Sequence, residues 1–322
     1  MPPTRIAVVG AGYIAGRHVE SLTTLPDVQV AAVCDPQADR AAALAARCGA
    51  AVHADPEAML AAVPVDAVYV CVPPGAHGDP ERTVLRRGLG LFVEKPLAAD
   101  LETAEALAAE VAAAGVPTAT GYHWRYLDTV EQAVELLADR PPRLLVGSWL
   151  DRTPGTPWWP VRAASGGQLV EQATHLVDLA RLLAGEVDGV SAVAARSPAG
   201  AGDIDHVAAA TLRFRSGAIG SLTASCLLRR GWRMGLEVVA DGLALALTER
   251  ELTVDDGDGP RTVPAGVDPM LRQDADFVAA VRGEPVRPRV PYAEALATHR
   301  VAVAAARAAA AGTEITLVGA GG

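Results

Sequence analysis

An apolar run, Leu89-Gly90-Leu91-Phe92-Val93, ends in Glu94-Lys95-Pro96. Charged side chains at the end of a buried strand give up hydration, so packing does not explain their presence. A lysine there can pass a proton to and from a substrate oxygen and, as an ammonium, stabilise charge developing on it. Farther along, Ser165-Gly166-Gly167-Gln168-Leu169-Val170-Glu171-Gln172-Ala173-Thr174-His175 runs into a stretch with helical periodicity. Glu171 and His175 are four residues apart and so share a helical face, where a carboxylate can hold and tune a histidine acting as acid or base. The same spacing also describes an ordinary surface pair, and spacing alone does not choose between them. Asp178 adds a third polar group, but no second histidine or cysteine falls at ligand spacing, so no metal is expected.

Gly10-Ala11-Gly12-Tyr13-Ile14-Ala15 follows a β-branched run and opens a helical segment. Glycines at these positions permit a tight turn and let the backbone approach a pyrophosphate, which then sits at the positive end of the helix. Asp35 ends the next apolar run at about the 20-residue interval expected of an acid that binds a ribose 2′-hydroxyl. A carboxylate there repels a 2′-phosphate, and Pro36-Gln37 supplies no adjacent cation, so NAD is favoured over NADP, with Arg40 the residue that argues the other way. The segment Cys71-Val72-Pro73-Pro74-Gly75-Ala76-His77 lies where another strand meets its helix; Pro73 and His77 join the cofactor candidates, although His77 could equally cap or pack. Aromatic and basic groups gather in Tyr122-His123-Trp124-Arg125-Tyr126 and at Trp158, Trp159 and Arg162. With aromatics at only 4%, this clustering suggests a ligand-facing wall, with domain-interface packing as the competing reading.

These groups need elements to carry them. Runs at Arg5–Val9, Val28–Val33, Ala67–Val72, Leu91–Val93 and Thr118–Gly121 alternate with helical stretches at Ile14–Leu25, Ala38–Cys48, His77–Arg87 and Leu101–Ala114. That alternation predicts βαβ units and a doubly wound parallel sheet over residues 1–122. Beyond it, Leu144–Leu150, Val187–Ala195, Val207–Phe214, Ala218–Leu228, Arg233–Ala240 and Leu243–Thr248 read as strands, with Ser216-Gly217 and Asp241-Gly242 as turns. Helices are expected at Leu127–Leu137, Leu169–Leu183, Pro269–Val281 and Tyr292–Ala311. Residues 123–322 thus form a second, α+β domain on a large, mostly antiparallel sheet.

A chain of 322 residues suits two such domains. The net charge of −10 argues against a nucleic-acid partner. The four cysteines show no paired spacing, and no apolar stretch is long enough to span a bilayer; the expectation is a reduced, cytoplasmic protein without a leader.

Taken in order, the glycine loop, the Pro-Pro…His77 segment, Glu94-Lys95-Pro96 and the Gly-Gly…Glu171…His175…Asp178 helix resemble the glucose-fructose oxidoreductase/inositol 2-dehydrogenase (Gfo/Idh/MocA) family over nearly the whole chain. The resemblance implies a Rossmann domain, a nicotinamide in the cleft between domains, and a C-terminal sheet that makes a homo-oligomer, dimer or tetramer. Gly10, Gly12, Tyr13, Ile14, Asp35, Pro73, His77, Glu94 and Lys95 would then face the cofactor. Lys95, His123, Arg125, Trp159, Arg162 and His175 would face the substrate, with Lys95, His175 and Glu171 catalytic and Pro96 cis. Glu171 stands where many members carry aspartate, and the usual adjacent Trp-Arg pair is stretched here to Trp159-Pro160-Val161-Arg162. The activity expected is hydride transfer between a nicotinamide and a secondary alcohol or ketone of a sugar, cyclitol or related polyol. Two alternatives share these motifs: non-redox use of tightly held NAD in a glycosidase- or lyase-like reaction, and a silent cofactor-binding regulator.

Overall fold

Continuous Val/Ala/Ile runs mark strands covered on both faces, and the N-terminal strands are of that kind. The computed structural model describes residues 2–317. Its first elements are β1 (Thr4–Val9), α1 (Tyr13–Leu22), β2 (Val28–Cys34), α2 (Ala38–Ala45), β3 (Ala51–His53), α3 (Pro56–Ala62), β4 (Ala67–Val70), α4 (Asp79–Leu85), β5 (Gly90–Val93), α5 (Leu101–Ala114) and β6 (Thr118–Thr120). All six strands pair in parallel, in the order β3-β2-β1-β4-β5-β6. The order reverses between β1 and β4, and ligands of such sheets bind outside the strands' carboxyl ends at that switch point. The glycine loop after β1, the His77 segment after β4 and Lys95 after β5 all lie on this carboxyl edge.

The chain continues through α6 (Asp128–Leu137), β7 (Leu144–Leu150), α7 (Arg162–Ser165), α8 (Gln168–Glu171), α9 (Thr174–Ala184), β8 (Val187–Ala195), β9 (Val207–Phe214), β10 (Ile219–Ser225), β11 (Arg233–Ala240), β12 (Leu243–Leu247), β13 (Glu251–Asp255), β14 (Arg261–Pro264), α10 (Pro269–Val281), α11 (Tyr292–Ala311) and β15 (Ile315–Thr316). Nine strands make the second sheet, β14-β13-β12-β11-β7-β10-β9-β8-β15. Every pairing is antiparallel except β7 with β10. Its hairpins turn where expected, at Gly217 and Gly242, both with positive φ. α8 and α9 pack against strands β7, β10 and β11. On the strands, buried and accessible positions alternate, leaving Leu144, Val193, Val207, Ile219 and Val239 exposed.

Two compact units result, and they do not follow a single boundary near residue 122. Among the described residues, one comprises 2–98 with Glu102–Tyr126 and Asp268–Leu296; the other comprises Ala99–Leu101, Leu127–Val267 and 297–317. Residues 268–296, expected in the C-terminal domain, return to the first unit because α10 has an apolar face that α1 covers. Phe277 and Val278 enter the same core as Ile6, Val8 and Val33. A second difference concerns the helix expected over Leu169–Leu183, which breaks at Gln172 and Ala173 into α8 and α9.

Gly10 sits at φ +92, and a Cβ there would lie 2.3 Å from the carbonyl oxygen of Cys71 on the neighbouring strand connection. Both facts forbid a side chain without backbone movement. Gly10→Ala should therefore destabilise the protein by about 2 kcal/mol, read as a lower midpoint in urea unfolding with an unchanged slope.

Candidate active site

The glycine loop meets the requirements of a dinucleotide on this chain's own geometry. Gly12 is the N-cap of α1, with no side-chain cap and no acidic residue in the first turn, so the helix's positive end is not neutralised locally. A Cβ at Gly12 would meet no protein atom within 4 Å. Nothing inside the chain demands glycine there, whereas a pyrophosphate brought against the backbone would. Tyr13 is 79% exposed, while Ile14 packs on the core of the first unit. Asp35 does more than end β2: its carboxylate accepts hydrogen bonds from the backbone N–H of Ala11 (2.8 Å) and of Gln37 (2.8 Å). It thereby ties the glycine loop to the strand that follows.

After β4, Pro73 leads into a single 3₁₀ turn, Pro74–Ala76. His77 is buried, its Nδ1 2.5 Å from Glu81, whose other oxygen accepts the N–H of Gly78. The imidazole is thus fixed by α4, with Nε2 buried and outside any protein hydrogen bond. The Cys71 thiol on the same edge is pushed well up by burial, then by the charges of Glu94 and Asp274, which keeps it from acting as a thiolate nucleophile.

Glu94 and Lys95 follow β5 directly, and the Lys95–Pro96 peptide is cis. Glu94 is 4% exposed. One of its oxygens accepts the N–H of Lys95 (3.0 Å) and the other lies 3.0 Å from Nε2 of His18. His18 is fully buried on α1, and its Nδ1 is 2.8 Å from Asp274 of α10. With both carboxyls ionised, both contacts are hydrogen bonds only if both ring nitrogens carry protons. Burial opposes that charge, but Asp274 and then Glu94 outweigh it and hold the imidazole's pKa up at about 10. Gly121 completes the seat: a Cβ there would fall 2.2 Å from a Glu94 oxygen. His18, Asp274 and Gly121 have no motif at sequence level. A histidine one helical turn into a Rossmann helix was the only signal available for them, and it is weak on its own.

His123 lies half-buried in a 3₁₀ turn, His123–Tyr126. Arg125, expected to face substrate, is 7% exposed and bonds Glu294 at 2.9 Å, while its carbonyl accepts from Arg289. Its charge is engaged within the first unit. In the second unit, His175 occupies the first turn of α9, 5% exposed, its ring stacked on Trp149 with centroids 5.6 Å apart. Glu171 ends α8, and one of its oxygens accepts the indole N–H of Trp159 at 2.6 Å. The break between α8 and α9 places Glu171 at the end of one short helix and His175 in the first turn of the next.

Trp159 is fully buried against Ile204, Cys226 and Trp158, a core position where a ligand-facing wall was expected. Arg162 reaches Asp205 (2.8 Å), and its N–H donates to Asp203 (2.6 Å). Asp178 accepts from Thr298, which also accepts from Arg181, and all three are buried. Among the described residues no group of His, Cys, Asp or Glu is arranged to hold a metal. No helix among the described residues is long and apolar enough to cross a membrane.

A six-stranded parallel sheet with a glycine loop at its switch point, followed by a nine-stranded mostly antiparallel sheet, defines a two-part dinucleotide-binding architecture. A family model described as oxidoreductase family, NAD-binding Rossmann fold matches residues 4–122, and the GFO/IDH/MocA C-terminal domain matches residues 141–244. The chain is 30% identical to myo-inositol 2-dehydrogenase of Thermotoga maritima over 261 residues, 78% of this chain and 77% of that protein. It is 29% identical to inositol 2-dehydrogenase of Rhizobium meliloti over 265 residues, 79% of each. Among solved structures, GenD2 from gentamicin A biosynthesis in complex with NAD is similar with a TM-score of 0.83 at 26% identity, covering 99% of this chain and 97% of that one. Levoglucosan dehydrogenase in complex with NADH and L-sorbose shares the fold, with a TM-score of 0.88 at 20% identity over 99% and 100% of the two chains. The chain belongs to the Gfo/Idh/MocA family of NAD-binding oxidoreductases.

The raised pKa of His18 sets a pH dependence of stability. A group whose pKa is higher in the folded than in the unfolded state stabilises fully below its unfolded value and loses that contribution as pH rises through the folded one. The difference in Tm between wild type and His18→Gln should therefore be largest near pH 6, about the unfolded histidine value. It should shrink as pH approaches about 10. Calorimetry across that range checks it.

Proposed function

We propose that the protein is an NAD-dependent dehydrogenase acting on a secondary alcohol of a sugar, cyclitol or related polyol, with Lys95 and His175 as its acid/base groups. The observation that carries this reading is Lys95 itself, set on the carboxyl edge of the Rossmann sheet with its backbone bonded to a buried carboxylate. A nicotinamide, when bound, supplies the hydride acceptor or donor. The residues that would hold it are Gly10, Gly12, Tyr13 and Asp35, with Pro73, His77 and Glu94 nearer the reacting end. The substrate class rests on the relatives, whose names are those of polyol dehydrogenases.

In the oxidising direction, His175 or Lys95 takes the hydroxyl proton as the carbinol hydrogen leaves as hydride. In the reducing direction the Lys95 ammonium donates to the oxygen and stabilises the negative charge developing there. His123 and Arg162 are the polar groups proposed to position the substrate's other hydroxyls. NAD is preferred over NADP because the Asp35 carboxylate, held by two backbone N–H groups, opposes a 2′-phosphate. The exposed face of the nine-stranded sheet, with Ile219 and Val193 at 53% and 69% exposure, is where we place self-association into a dimer or tetramer.

Lys95→Ala should lower kcat for the best substrate of a sugar, inositol and sugar-acid panel by about 10²–10⁴-fold. NADH binding, followed by fluorescence, should change little; near wild-type turnover would refute the assignment. The same titration on wild type should show NADH binding at least about tenfold tighter than NADPH, about 1.4 kcal/mol, and the reverse order would refute the cofactor choice. Light scattering should give a mass above one chain, and Ile219→Lys should reduce it.

A further inference from the structure

We infer that His18 is a positioning residue for Lys95, acting as a buried imidazolium that orients Glu94 from one side while Asp274 anchors it from the other. The inference rests on the dehydrogenase reading of Lys95 and adds to it two residues from other elements, one on α1 and one on α10.

Glu94 receives two donors at once, the Lys95 N–H at 3.0 Å and the His18 Nε2–H at 3.0 Å. Only a group that accepts on both oxygens suits that place, which is the physical reason for a carboxylate rather than an amide. His18 in turn needs a second acceptor for Nδ1–H, and Asp274 supplies it at 2.8 Å. The imidazole packs against both Tyr69 and Phe92, with ring centroids at 5.0 and 4.8 Å. Those two rings stack on each other, and Phe277 of α10 packs edge-on to both. An apolar surround strengthens charged hydrogen bonds and leaves the ring little room to turn. Gly121 closes the remaining side of Glu94.

A row of charged groups in such a setting is costly to desolvate, and an apolar replacement is often no less stable, so stability alone is a poor account of it. What the row does achieve is mechanical. The backbone N–H of Lys95 is tied through Glu94 and His18 to two helices, α1 and α10, so the point from which the lysine side chain departs is set by packed elements and not by the loop that carries it. Displacements of about 1 Å at a reacting group lower rates by about 10²-fold.

The test compares Lys95→Ala, His18→Gln, Glu94→Gln, the His18→Gln/Glu94→Gln double variant and Asp274→Asn in the full-length protein. For each, kcat, substrate KM, NADH affinity and Tm are measured. With Lys95→Ala inactive, the expected result is a fall in kcat of about 10²-fold for His18→Gln. KM and NADH affinity should stay within about threefold, a split that mere loss of stability does not produce. Glu94→Gln should lose a similar amount, and the double variant no more than the worse single, because both act through one bond to Lys95. His18→Gln with wild-type kcat, or losses that multiply in the double variant, would overturn the inference while leaving the dehydrogenase reading intact. An active Lys95→Ala would instead remove the reading on which it rests. Should His18→Gln not fold, two measurements still decide. ¹⁵N NMR of the wild type should show both His18 nitrogens protonated at neutral pH, and a bare nitrogen overturns the inference. Asp274→Asn should lower kcat with KM unchanged, and an unaltered kcat overturns it.

Discussion

A protonated histidine held between two carboxylates inside an aromatic cluster is an arrangement that constrains everything around it. His18, Glu94 and Asp274 are all buried, so each must keep its partner within hydrogen-bond distance or leave a polar group uncompensated. That requirement fixes the rotation of α1 about its axis, since His18 must point at the end of β5. It recruits α10 from far along the chain, and it excludes a side chain at Gly121. The glycine loop opens the same helix α1, so the element that offers its N-terminus to a pyrophosphate also sets the backbone of Lys95. The glycine loop and the proposed acid/base group are thereby referred to one rigid element.

The second unit solves a different problem. An antiparallel sheet with one covered face needs buried and accessible residues to alternate, and its strands do so with little interruption. Helix α9 lies on the covered side and presents His175 in its first turn, stacked on Trp149 of β7. Gly166 takes a left-handed conformation, and a Cβ there would lie 2.8 Å from the carbonyl oxygen of Ala99; the Gly-Gly segment is thus first a close backbone approach. The adjoining Glu171 carboxylate bonds the buried Trp159 indole, which ties the end of α8 to the loop before it.

Much of this was legible in the residues themselves. Strands β7, β8, β9 and β11 and helices α5, α10 and α11 were readable to their ends, because hydrophobic periodicity and glycine or proline breaks are local signals. The short elements were not. β3 is an exposed edge strand of only three residues, α3 is a single capped stretch from Pro56, and β13 and β14 sit among charged residues where alternation is masked. Trp159 looked like a ligand wall and is core, since an aromatic in a loop has the same composition whether it faces inward or outward. Arg125 looked like a substrate contact, yet Glu294, remote in sequence, engages it.

By itself the sequence determined the class of chemistry: a glycine loop for a dinucleotide, an acid at the ribose position, and a lysine at a strand end. Each is a short-range pattern whose residue types are constrained by the chemistry they would perform. Only the tertiary structure decided which charges stand together. Residues 18, 94 and 274 are separated by long stretches of chain, and their encounter comes from α10 packing on α1, a consequence of where apolar faces find cover. Glu94 had seemed a companion of Lys95 by adjacency alone. In the folded protein it is the link between that lysine and a charge buried in the helix opened by the glycine loop, because a carboxylate with donors on both sides is held only by the groups that three-dimensional packing delivers.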